Sequence, residues 1–216
     1  MASCTCDFGA ALGDVALVKC AENLGQLGAL LIQRLISTGS TENSLTVASG
    51  VIAESAFTTA FAANDGTKLL VTPVTFNPQF TPGDAVTWDD GKGNSINIRR
   101  NGTAVAIEFR GVPQSTIKSL KALECEAEAG MLGVYLVGDS GNIRGVKVET
   151  GSPLAVTGLK PIPIKSLFVS DSAPQTDAPD LNNFTLALPA DWSDDTVVVK
   201  GITPSKLIQD KIAAQA

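Results

Sequence analysis

The 216 residues are 44% apolar and only 18% charged, with 20 Gly and 11 Pro, a balance that excludes a disordered chain and suits a turn-rich folded protein. A formal net charge of -6 argues against a surface that holds phosphates through clustered Lys and Arg, and no run of about 18 apolar residues is present to cross a bilayer. With no His in the chain, Ser–His and Cys–His nucleophiles are excluded.

The N-terminal stretch "MASCTCDFG" lacks a basic start followed by an apolar segment, so neither export nor membrane insertion is expected. Cys4, Cys6 and Cys20 crowd this end while Cys125 lies about a hundred residues away. That spacing reads as reduced thiols of a protein assembled in a cytoplasm rather than as a zinc ligand set, and no metal or cofactor is expected. Leu24, Leu27, Leu31 and Leu35 fit one helical face, yet Gly25 and Gly28 weaken a helix, and "LLIQRLI" reads equally as a buried strand, which the reading favours. Next, "SGVIAESAFTTAFAAND" predicts a helix capped by Ser49, with Ile52, Ala56, Phe57, Ala60 and Phe61 on one face and a stop at Asn64-Asp65-Gly66. Residues 1–66 thus form an N-terminal arm and helix-containing segment, part of the same unit as a β-rich core over 67–216.

From Lys68 the texture becomes short β-rich runs, "KLLVTPVTF", "AVTW", "SINIRR" and "TAVAIEF", separated by turn residues including Asn101-Gly102, which predicts antiparallel sheet. One amphipathic helix is predicted over 114–128, capped by Gln114 or Ser115, with Ile117, Leu120, Leu123 and Ala127 at helical spacing and Gly130 as its stop. The hairpin "GVYLVGDSGNIRGVKV" follows. Val134, Tyr135, Leu136 and Val137 are apolar on both faces, so this strand is buried twice, within the domain or by another subunit. Those four, with Ile143 and Trp192, are the candidate subunit-interface residues; for Trp192, between Asp191 and Asp194-Asp195, core packing is the equal alternative. Pro161 and Pro163 make "GLKPIPIKSLFVSD" an edge or irregular strand, and "PSKLIQDKIAAQA" is a short terminal helix or an extended C-terminal arm.

Sites of chemistry find little support. "WDDGKGN" departs from the calcium-loop spacing and reads as a hairpin tip, and Asp139-Ser140-Gly141-Asn142 reads as a β-connection. Ser115 and Lys118 repeat a serine-nucleophile spacing, but the Ser stands where a helix cap belongs and the companion motifs are missing. "NGT" at Asn101 and "NFT" at Asn183 carry no weight without a secretory signal. No catalytic residue is assigned, and an enzyme is not expected.

The order of features from about Val86 to Lys200 carries more. "WDDGKGN", a polar strand, "AIEFRGVPQSTIKSLKALEC", "LGVYLVGDSGNIRG", "GLKPIPIKSLFV" and "LPADWSDD" follow one another. This succession resembles virion structural proteins of tailed phages infecting Bacteroidota, including tail-tube-like ones, through pattern and spacing rather than through an invariant motif. The resemblance implies an antiparallel β-sandwich or barrel, mainly β within an α+β class, with one flanking helix carrying Ile117, Leu120 and Leu123 and with extended arms or hairpins. It implies a homo-oligomeric ring, usually hexameric, stacked into a tail tube through which DNA passes transiently, located in the virion beside other virion proteins after assembly in the host cytoplasm. An acidic surface would let DNA slide without sticking. The alternatives are a neck-ring, connector or auxiliary capsid protein, or a carbohydrate- or protein-binding β-sandwich module; against the latter stand only two Trp and one Tyr.

Overall fold

The computed structural model describes residues 24–89, 91, 95–151 and 155–215. With 45% strand against 17% helix, the fold is mainly β, built of curled antiparallel sheets and a few helices. In chain order it runs β1 (Leu27–Arg34), β2 (Leu45–Thr46), α1 (Glu54–Ala62), β3 (Leu69–Val71), β4 (Phe76–Thr81), β5 (Ala85–Asp89), β6 (Ser95–Arg100) and β7 (Thr103–Arg110). It continues with α2 (Gln114–Lys121), α3 (Glu124–Glu128), β8 (Leu132–Gly138), β9 (Asn142–Thr150), β10 (Ala155–Lys160) and β11 (Ile162–Pro163). The last elements are β12 (Ser166–Val169), β13 (Leu181–Leu188), β14 (Thr196–Lys200) and α4 (Pro204–Ala213).

The larger sheet has the order β2-β10-β9-β8-β1-β3, with β11 also paired to β8 and β14 to β9; the second sheet runs β12-β13-β7-β4, and β5 pairs only with β6. Period-two alternation sends the side chains of β1 and β8 to both faces of the larger sheet, and both faces are covered there. Leu30, Ile32, Val134 and Leu136 face one way and meet Val105, Ile107, Phe109 and Phe184 of the second sheet together with Ile117 and Leu120 of α2. Ala29, Leu31, Tyr135 and Val137 face the other way and meet Phe57 and Phe61 of α1 and Leu207 of α4. The result is three layers, with α1 and α4 outside, the larger sheet between, and the second sheet with α2 and α3 on its far side.

Several sequence expectations are met in particular ways. The Leu27–Arg34 segment is a strand, central in its sheet between β3 and β8. β1 joins the larger sheet by pairing with β3 and β8, and β2 by pairing with β10. Pro161 marks a change of partner: Lys160 pairs with Val146 of β9, while Ile162 pairs with Val134 of β8. A residue without an amide N–H fits where one ladder ends and another begins.

Others are corrected. The helix expected as one piece over 114–128 divides into α2 and α3 at Ala122 and Leu123, where Leu123 N–H donates to Leu120 O in a tightened turn. Its N-cap is Pro113, and neither Gln114 nor Ser115 caps it; Ser115 lies inside the first turn, where its carbonyl accepts the Ser119 hydroxyl. Ser49 is not a cap either. It and Gly50 both take positive φ, 51° and 76°, in a tight turn closed by reciprocal bonds between Ala48 and Val51, and α1 starts only at Glu54. Of the two alternatives for the C-terminal segment, the helix is the one formed: α4 docks against α1 and β3.

Candidate interaction surfaces

The β8–β9 residues expected at a subunit interface lie inside the chain's own core. Val134, Tyr135, Val137 and Ile143 are 0% exposed and Leu136 1%, which leaves no side-chain surface for a neighbour to touch. The double apolarity is explained by the two layers described above. The Tyr135 hydroxyl donates 3.0 Å to Gln33 Oε1 and lies 3.2 Å from Leu159 O, and burial pushes its phenol pKa far above the ordinary value, so the group stays neutral. Trp192 is half-buried: its Nε1–H donates 3.0 Å to Thr103 Oγ1, its ring stacks 6.5 Å from Phe80, and the Arg144 guanidinium lies 6.0 Å from its centroid. It ties the Asp191 loop to the second sheet. Of the flanking-helix residues, Ile117 and Leu120 are core, while Leu123 is half-buried and lines a groove. Cys4, Cys6 and Cys20 lie outside the described residues; Cys125 is exposed. Among the described residues no cluster of carboxylates or thiols has metal-binding geometry, and no helix is long and apolar enough to cross a membrane.

A different hairpin is left uncovered. Among the described residues β5 and β6 pair only with each other, and all their residues but the half-buried Val86 are exposed. Trp88 stands opposite Ile96 at 54% and 53% exposure, and Ile98, two residues on, reaches 62%. The local sequence builds this arm well. After β5, Gly91 takes a φ of 70° and its N–H donates 2.9 Å to Asp89 Oδ1. At the base, a side chain on Gly102 would stand 2.1 Å from Leu188 O, so only Gly lets the arm leave the sheet this close to β13. Arg100 pairs with Asp191 at 3.2 Å beside that exit. Sequence reading took "AVTW" and "SINIRR" for ordinary strands of the core sheet. Nothing in these runs shows that their apolar side chains meet no other layer of the described residues.

The second open feature is a groove along the outer edge of β3, the last strand of its sheet. Two adjoining cavities of about 350 and 500 Å³ share Leu70 and Leu123; the larger lies between α2 and α4 and is lined by Val71, Val112, Ile208 and Ile212. Lys211 lines it too. Only 7% exposed, its ammonium donates to Phe61 O at 3.0 Å, a carbonyl of the last turn of α1, and lies 3.5 Å from Leu69 O. Burial lowers its pKa, and Lys68 nearby lowers it further. Lys68 lines the smaller cavity together with Asp65 and Glu126, and there Arg34 holds Glu126 through two bonds of 2.8 and 2.7 Å.

Comparison of the chain with protein-family models, with curated proteins and with solved structures finds no match in any of the three.

Proposed function

We propose that the protein is a structural virion subunit of the tail-tube kind, which works by assembling with copies of itself into stacked rings. The observation that carries this reading is the β5–β6 arm. A two-stranded ribbon with both faces exposed is marginal on its own, and among the described residues its outer edges have no partner strand while Trp88, Ile96 and Ile98 are exposed. Such a feature gains its stability from a partner that covers it. A net charge of -6 supports the second half of the reading, a conduit that repels DNA and lets it pass. The role asks for no catalytic group and no cofactor.

Mass photometry across a concentration series, with negative-stain electron microscopy of the same samples, tests this reading. Rings or stacked tubes are expected to replace monomer as concentration rises. Monomer at every concentration overturns the reading.

A further inference from the structure

We infer that the larger cavity, between α2 and α4, is a binding site for a single-chain aliphatic carboxylate, with the Lys211 ammonium as its anchor. The inference goes beyond the assembly reading and does not depend on it.

Lys211 stands where a helix of this kind carries an apolar residue. α4 buries Pro204, Leu207 and Lys211, and residues 207 and 211 lie one turn apart on the same face. A Leu or Met at 211 would cover the same surface without taking a charge out of water. The ammonium reaches Phe61 O at 3.0 Å and Leu69 O at 3.5 Å and lies 5.5 Å from the centre of the Phe61 ring. These contacts hold the side chain in place, but all three groups are neutral and none balances the charge. Among the described residues no carboxylate lies within ion-pair distance of Lys211, and the nearby charge that acts on it, Lys68, has the same sign. The smaller cavity differs in this respect: its charged residues cancel, Arg34 and Lys68 against Glu126 and Asp65, whereas Lys211 is the single charged residue lining the larger one.

The rest of the lining sets the kind of anion. About 500 Å³ is the size of a small-molecule site, and Leu70, Val71, Val112, Leu123, Ile208 and Ile212 make its walls apolar. Hydroxyls in the wall are already engaged: Thr72 Oγ1 accepts from Leu30 N–H at 3.0 Å and donates to Pro73 O at 3.1 Å, and the Ser119 hydroxyl donates to Ser115 O at 3.0 Å. One buried cation in such a cavity matches a ligand with one negative charge and an apolar body. A phosphate monoester would bring a second charge with no counterpart in the wall. Lys211 is buried and Ile212 exposed, so the carboxylate lies inward and the chain runs along Ile208 towards Ile212.

Isothermal titration calorimetry of the full chain at neutral pH, with decanoate and with decanol as the uncharged chain of equal length, tests the site. The wild type is expected to bind decanoate about tenfold or more tighter than decanol, the scale of one charge-assisted hydrogen bond. Lys211→Met keeps the length of the side chain and is expected to remove that preference. Ser119→Trp, at an exposed position of α2 lining the cavity, fills the space and is expected to weaken both ligands together. Thermal melting checks that both variants fold; if Lys211→Met melts early, the wild-type comparison and Ser119→Trp decide. A wild type that binds neither ligand, or both equally, overturns the inference. A folded Lys211→Met protein that still prefers decanoate overturns it as well, and decanoate binding unchanged in folded Ser119→Trp places the ligand elsewhere and does the same.

Discussion

The two hairpins of this chain, β8–β9 and β5–β6, are both antiparallel and both carry large apolar side chains, yet they differ completely in what covers them. β8 lies between β1 and its neighbours β9 and β11, and every one of its residues is buried, with the second sheet on one face and α1 and α4 on the other. β5–β6 lies outside both layers and shows Trp88, Ile96 and Ile98 to solvent. Apolarity on both faces of a strand therefore says that the strand is covered twice in its own fold. Apolarity on a ribbon that no layer of the described residues reaches is, on the proposed reading, a surface for a partner.

The comparison breaks most visibly at Leu136. Leu136→Asp buries a carboxylate against Val105 and Ile107 with no partner, and a loss of more than about 4 kcal/mol is expected, enough to unfold a domain of ordinary stability. Chemical denaturation or loss of near-ultraviolet dichroism reads this directly; a folded Leu136→Asp protein would place β8 outside the core. Tyr135→Phe is a finer probe of the same strand. It leaves Gln33 Oε1 without its donor and is expected to cost about 1–2 kcal/mol in urea unfolding.

On the exposed hairpin the expectation reverses. Trp88→Ser should alter monomer stability by less than about 0.5 kcal/mol, as a surface position does, while assembly is lost. A large drop in the monomer's melting temperature would show that the arm is packed on its own chain. The smallest effect belongs to the Arg34–Glu126 pair, whose side chains are 46% and 31% exposed. Hydrogen bonding from Arg34 holds the Glu126 carboxyl below its ordinary pKa. Its contribution is therefore present above the unfolded pKa of Glu and is lost as pH falls through the lower folded value, in the acid range below about pH 4.3. Partial exposure limits it to less than about 1 kcal/mol, and Arg34→Met should flatten the acid limb of stability by that amount.

Much of this fold was legible in the residues. Alternation and turn chemistry gave the antiparallel strands, the two prolines gave the irregular segment at Pro161, and the apolar run of Val134 to Val137 gave a strand covered twice. What covers it was not legible, because the layers come from residues far apart in the chain: Phe57 and Phe61 on one side, Val105 and Ile107 on the other. Ser49 shows a local limit. Its side chain suits an N-cap, but the Gly50 beside it suits a tight turn equally well, and the Ala48–Val51 bridge decided for the turn. The arm was the larger omission: Trp88 and Ile96 have the spacing of core residues, and only the three-dimensional path past Gly102 carries them away from it.

Hydrogen exchange on the wild-type protein, at a concentration giving monomer and again at one giving assembly, tests the central claim most directly. The account predicts that β8 amides are protected in both states, while β5–β6 amides exchange fast in the monomer and become protected on assembly. Assembly that leaves the β5–β6 amides exchanging as fast as before would contradict it.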